Sequence, residues 1–305
     1  MDEPAVGVLS HTVLFYRSEA EYLGQVAAFV RAGLACGEPA LIALPNGRSR
    51  AVGDCLNGHP GELVFADMAE LGRNPARIIP EVRSFTDKYP GQRVRYVGEP
   101  IWPGRSAAET REATRHEALV NLAFARAQAT ILCPYDAAGL AGPVLADAAR
   151  THAEPAASGA TVVTWRDNLP PGCDRPLDPP PAEAEALAYT ADLTPVRQLV
   201  ERYARLAGLG AERTVDLVLA ANEIAANTIR HTAGGGVIHL WHTAAEVLCE
   251  VHDSGRITDP MAGRVRYGPD ARGHGLWLVN QVCDLVELRS GDEGTTVRMH
   301  MRRAV

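Results

Sequence analysis

Glu223-Ile-Ala-Ala-Asn227-Thr-Ile-Arg-His231 decides how the C-terminal part of this chain is read. The apolar spacing is helical, and steps of four residues put Glu223, Asn227 and His231 on one helix face. A carboxylate there can accept a proton. An amide oxygen one turn later can ligate Mg²⁺, which takes a few protein oxygens and leaves the rest of its shell to water and phosphate. Read alone, the same stripe is equally a solvated polar face, so the neighbouring segments have to decide.

Three of them follow in order. Cys249-Glu-Val-His-Asp253-Ser-Gly255 is an apolar strand ending in Asp-x-Gly, whose carboxylate can accept from an exocyclic amine such as that of adenine. Arg272-Gly273-His274-Gly275-Leu276 opens a helix, and glycines before a helix N-terminus give an anion access to backbone N–H groups. Gly294-Thr295-Thr296-Val297 leaves an acidic turn for a strand, bringing hydroxyls that can meet a base or its water. Each segment has an ordinary explanation as a turn or hairpin; their order and spacing together carry the argument.

Further out, Thr194–Leu206 reads as an amphipathic helix with Thr194 as cap and Pro195 in its first turn. Arg213–His231 and Leu276–Cys283 read as helices, and Val237–His242, Val247–Asp253, Leu285–Ser290 and Thr295–Met301 as strands. The expectation for 187–305 is an α+β sandwich with antiparallel strands in sequence order and helices on one face. Residues 156–186, with Pro170-Pro171 and Pro179-Pro180-Pro181, are expected to form a linker.

Residues 7–155 alternate between strand and helix patterns: His11–Tyr16, Pro39–Leu44, Gly61–Phe65, Arg93–Val97 and Ala129–Cys133 as strands, Glu19–Cys36, Arg77–Tyr89 and Ala107–Arg126 as helices. This predicts an α/β domain with a mainly parallel sheet. A standard Walker A loop is excluded throughout, because Lys88 is the single lysine and stands in no such motif.

The 305 residues suit two domains, and 46% hydrophobic with 22% charged residues is ordinary for a globular chain. A net charge of −7 argues against direct nucleic-acid binding. The six cysteines form no Cys-x-x-Cys pair, no run is apolar and long enough to span a membrane, and Met1–Ser10 is not signal-like. A cytoplasmic location with free thiols is expected.

The four C-terminal segments resemble the GHKL (Bergerat) ATPase superfamily, and within it the anti-sigma-factor serine kinases. The resemblance implies ATP and Mg²⁺ as cofactors, Glu223 as general base, Asn227 as Mg²⁺ ligand and Asp253 with Gly255 as the adenine floor. It places Gly273 and Gly275 beside the phosphates, Thr296 near the adenine, and a short lid over Arg256–Arg272. Arg272 is a candidate γ-phosphate contact and Arg197 a candidate sigma-factor contact. His274 departs from the family pattern without blocking the backbone. A sigma factor and an anti-anti-sigma protein are the implied partners, and a homodimer is compatible. The alternatives are a non-catalytic ATP-binding sequestration module, or a sensor of the histidine-kinase-like class. The latter is disfavoured, since no histidine lies between His152 and His231 to act as phosphoacceptor.

His11-Thr-Val-Leu-Phe-Tyr16, Gly98-Glu99-Pro-Ile-Trp102-Pro-Gly104-Arg105, Arg115-His116-Glu117 through Asn121, and Cys133-Pro134-Tyr135-Asp136 resemble the MEDS sensory domain. That likeness implies a RecA-like fold with a degenerate P-loop, where Pro45-Asn46-Gly47 stands, and a small-molecule ligand. His11, Glu99, Trp102, Arg105, Glu117, Asn121 and Tyr135 are the candidate pocket residues. A metal site of His11, His116 and Cys133 is the less favoured reading, behind buried core side chains.

Overall fold

The computed structural model describes residues 9–58, 60–152, 169–170, 173–232, 234–265 and 274–303. The chain divides into two compact units, Met1–Cys173 and Asp174–Val305.

In the first unit the order is β1 (Ser10–Tyr16), α1 (Glu19–Ala35), β2 (Ala40–Leu44), α2 (Arg48–Leu56), β3 (Leu63–Asp67), α3 (Met68–Leu71), α4 (Ile78–Thr86), β4 (Val94–Gly98), α5 (Ala107–Ala123), β5 (Ala129–Asp136) and α6 (Gly142–Thr151). The five strands lie in the order β1-β5-β4-β2-β3, all pairs parallel. Every residue of β2 is buried, as expected of a parallel strand covered on both faces. Ser18 caps α1, and a Ser106–Glu109 capping box starts α5.

β5 runs on through Pro134 rather than stopping at Cys133. Its pairing with β4 ends at Leu132, so the proline lies where the strand has only β1 as neighbour and a missing N–H is tolerated. Sequence periodicity passed over α2 and α6. Each buries few positions (Val52 and Leu56; Ala148 and Thr151), too few for a clear apolar stripe.

The second unit contains β6 (Glu185–Tyr189), α7 (Thr194–Leu206), α8 (Ala211–His231), β7 (Gly236–His242), β8 (Glu246–Asp253), α9 (His274–Val282), β9 (Leu285–Gly291) and β10 (Gly294–Arg302). The sheet is antiparallel throughout, in the order β6-β7-β8-β10-β9. Strict sequence order is therefore corrected: the chain reaches edge strand β9 by way of α9, and a hairpin at Gly294 (φ 116°) returns β10 into the gap beside β8. The cap of α7 is also corrected. Asp192 accepts the Thr194 N–H at 2.9 Å, and Thr194 is already helical. The core joins Val196, Leu217, Ile224 and Val279 of the helices to Val251 and Met299 of the sheet.

Residues 174–186 of the expected linker belong to this unit, and the last two of them open β6. Proline bars helix there, but its carbonyls still accept: Arg289 Nε donates to the Arg175 carbonyl at 3.1 Å, and the Arg298 guanidinium to that of Asp178. Beside them, His300 is buried between Glu246 (3.2 Å) and Glu287 (3.1 Å). Burial disfavours the imidazolium, but hydrogen bonds to the two carboxylates outweigh it and raise its pKa to about 9. A raised folded pKa stabilises fully below the unfolded value and is lost as pH rises through the folded one. Unfolding midpoints should thus fall from pH 6.5 to above 9, by up to roughly 3 kcal/mol, and His300→Gln should flatten that dependence.

Candidate functional site

In the second unit, α8 brings Glu223 and Asn227 to the start of α9, while His231, a turn further on, lines the adjoining cleft. A Cβ added to Gly275 would lie 2.7 Å from Glu223 Oε2 and 3.3 Å from Asn227 Nδ2, so the three positions meet. Beside them opens a cleft of about 550 Å³, lined among others by Asn227, Arg230, His231, Asp253, Gly255 and Thr295. The Asp253 carboxylate is held at both oxygens. Thr228 donates to Oδ2 at 2.5 Å and the Gly255 N–H to Oδ1 at 2.7 Å, while Tyr189 donates to the Thr228 hydroxyl at 3.0 Å. A Cβ on Gly255 would lie 2.9 Å from both Asp253 Oδ1 and the Thr232 methyl group, so the glycine keeps this turn close to the carboxylate.

In the first unit the pocket candidates divide between separate sets of contacts. Glu99, fully buried, accepts from Tyr16 (2.8 Å), Tyr22 (3.1 Å) and Arg48 (2.7 Å). Burial raises its pKa, while Arg48 and the hydroxyls pull the other way. Arg105 stacks its guanidinium 4.4 Å from the Trp102 ring and donates to the carbonyls of Pro100 and Gly72 at 2.7 and 2.8 Å. It braces two loops. His11, Glu117 and Asn121 come together with Cys133 and His152, and the Tyr135 ring lies 5.8 Å from that of His152.

Two family models match the chain: one described as MEDS, the methanogen/methylotroph, DcmR sensory domain, over residues 10–153, and one described as a histidine kinase-like ATPase domain over 187–301. The chain carries a MEDS sensory domain and a GHKL-like ATPase domain. None of the curated proteins matches it. Among the described residues, no helix is long and apolar enough to cross a membrane.

An ATPase domain of this class implies ATP binding, usually with Mg²⁺. The residues present fit such a ligand: a carboxylate fixed at both oxygens in the cleft lining, two glycines beside it, and an amide oxygen. Asn227 Oδ1 accepts from Arg230 Nη1 at 2.8 Å, so ligating a cation means releasing that arginine into the cleft. Arg230 was passed over in the sequence, although it stands three residues from Asn227 on the same helix, a spacing that places it within reach. Arg272 and Gly273, and positions 266–272 of the lid, lie outside the described residues. At its described start, the lid is tied to α9 by Asn280 Nδ2 donating to the Gly263 carbonyl at 3.0 Å. Arg197 lies exposed on α7, donating to Asn222 and Thr194, both at 3.1 Å.

Thr296 is corrected to Thr295 as the cleft threonine of the ATPase domain. In the β8–β10 register Thr295 pairs with Asp253 and shares its face, whereas Thr296 pairs with the exposed His252 and contacts its Nδ1 at 3.0 Å. Side chains alternate along a strand, so adjacent threonines cannot both face the cleft. Thr295 donates to the Gly255 carbonyl at 2.8 Å. Thr295→Val is expected to weaken ATP binding about tenfold by freeing that turn, and Thr296→Val to leave it unchanged, as read by nucleotide titration.

Proposed function

We propose that the ATPase domain is an anti-sigma-factor-type serine/threonine kinase acting on an anti-anti-sigma protein, with its output governed by a small molecule at the MEDS domain. The observation that carries this reading is the meeting of Glu223 Oε2, Asn227 and Gly275 beside a cleft that Asn227 and Asp253 line.

Asp253 is placed to accept from the exocyclic amine of adenine, with Gly255 leaving room for the ring. Asn227 Oδ1 offers a hard oxygen ligand for Mg²⁺. Arg230, once released, supplies positive charge near the phosphates, a role for which the sequence had suggested only Arg272. When bound, Mg·ATP supplies the phosphoryl group and neutralises charge on it. Glu223 Oε2 takes the proton from the partner's serine or threonine hydroxyl. The added phosphate brings roughly −1.5 to −2 charges to the partner and disrupts its docking surface. Arg197, exposed on α7, is the proposed sigma-factor contact.

We likewise read the MEDS domain as a degenerate RecA-type fold. The reading is supported by its parallel sheet and by the Pro45–Gly47 turn after β2, where Asn46 and Gly47 take φ of 58° and 71°. The next residue, Arg48, is committed to Glu99.

Incubating the full chain with γ-labelled ATP and a candidate anti-anti-sigma protein tests the kinase reading. Label on a partner serine or threonine is the expected result. Nucleotide binding without transfer would leave a sequestration module instead.

A further inference from the structure

Four side chains from separate places in the MEDS domain converge in its interior: His11 on β1, Glu117 on α5, Cys133 on β5 and His152 just past α6. One ligating atom of each lies within 4.8 Å of the others, and all four residues are buried. Glu117 Oε2 stands 3.2 Å from both His11 Nε2 and His152 Nε2, and His11 Nε2 stands 3.3 Å from Cys133 Sγ.

Hydrogen bonds behind the rings decide which nitrogen faces the centre. Asn121 Nδ2 donates to the Thr151 carbonyl at 2.8 Å, which leaves Asn121 Oδ1 to accept from His11 Nδ1 at 3.0 Å. His152 Nδ1 donates to the Ala148 carbonyl at 2.7 Å. In the neutral rings both Nε2 atoms therefore carry lone pairs, and both stand 3.2 Å from the Glu117 carboxylate, His11 Nε2 also beside the Cys133 sulfur. Only the Cys133 thiol proton stands among these acceptors. Glu117 Oε2 and His152 Nε2 have no well-aligned hydrogen-bond partner despite their proximity.

We propose that His11, Glu117, Cys133 and His152 form a divalent metal site, and that its ion is Zn²⁺. Two imidazole nitrogens, one sulfur and one carboxylate oxygen make a four-ligand zinc set. Tetrahedral ligands about 2.0–2.3 Å from zinc lie about 3.3–3.8 Å from each other; three of the separations here are 3.2–3.3 Å and the others lie within 4.8 Å, so small side-chain shifts close the set on an ion. The thiolate and the carboxylate together offset the charge of a divalent ion, so the buried centre is neutral. Each histidine already donates its outer N–H to an oxygen, the support that orients ligating imidazoles. Binding releases the Cys133 thiol proton. Four protein ligands close the tetrahedron, so the ion is structural and ties the end of α6 to β1, β5 and α5. His116 takes no part in the set.

The metal-free alternative is an ion pair between a His152 imidazolium and the Glu117 carboxylate, with Cys133 remaining a thiol. The full chain, purified from cells supplied with zinc, should carry one equivalent of the metal. After chelation, Co²⁺ added in its place should give the visible bands of a tetrahedral ion and a near-ultraviolet thiolate-to-cobalt band. Cys133→Ser should lose the thiolate band, and His152→Ala should bind Co²⁺ at least tenfold more weakly, with a cooperative thermal unfolding transition of the MEDS domain showing that each variant is folded. Wild-type protein that holds no zinc and gives no tetrahedral Co²⁺ spectrum overturns the site. So does a spectrum that survives unchanged in Cys133→Ser. The wild-type measurement alone decides the matter if a variant fails to fold.

Discussion

Glu223→Ala lowers phosphotransfer to the protein partner about 10²- to 10⁴-fold while leaving ATP affinity close to that of the wild type: this is the expected result if Glu223 removes the hydroxyl proton. Glu223 Oε2 is the nearest atom to the space beside Gly275, whereas the cleft itself is lined by its helix neighbours Asn227, Arg230 and His231. Removing the carboxylate therefore takes away a proton acceptor and not a nucleotide contact. Single-turnover label transfer at saturating ATP, with a parallel binding titration, separates the two. Undiminished transfer in the variant would remove Glu223 from the chemistry. A matching loss of ATP affinity would make it a binding residue.

The second large effect belongs to the MEDS domain. Arg48→Met should destabilise it by about 3–5 kcal/mol near neutral pH, because Glu99 would then be a buried carboxylate without a cation. Arg48 also lies over the rings of Tyr16 and Tyr22, at 5.2 and 4.5 Å, so the variant loses packing as well as charge. The sign of the pH dependence follows from burial. A carboxyl whose folded pKa is raised holds its proton more tightly when folded, so the penalty is absent below the unfolded carboxyl pKa and grows as pH rises towards the folded one. Acidification should narrow the gap between Arg48→Met and wild type. Adding Glu99→Gln to Arg48→Met should recover part of the loss at neutral pH. Denaturant unfolding of the single and double variants checks both, and an Arg48→Met chain as stable as wild type would mean that the pair is not what neutralises Glu99.

Much of the candidate site was legible because its geometry is local. Glu223, Asn227 and His231 are four residues apart on one helix, and nothing beyond helical geometry is needed to put them on one face. Asp253 and Gly255 sit at the end of an apolar strand, where both the hydrogen bond and the turn arise within three residues. The choice between Thr295 and Thr296 was not legible. It depends on the phase of β10 against β8, and a shift of one residue swaps the faces without changing the sequence pattern.

The MEDS domain shows the same division at longer range. Its strand and helix alternation announced a parallel sheet, and the polar residues near the strand ends stood out as candidates. Which candidates meet was another matter: Glu99 pairs with Arg48, fifty-one positions away, while His11 joins Cys133, 122 positions away. His152 went unnoticed because α6, which delivers it, buries too few positions to mark itself as a helix.

By itself, then, the sequence determined two sheet types and the helix face that carries Glu223, Asn227 and His231, because periodicity and turn chemistry act over a few residues. The tertiary structure alone decided that β10 lies between β8 and β9, that Thr295 faces the cleft, and that His11, Glu117, Cys133 and His152 share one centre. Those outcomes depend on strand register and on chain segments far apart in sequence packing against one another, which no local pattern encodes.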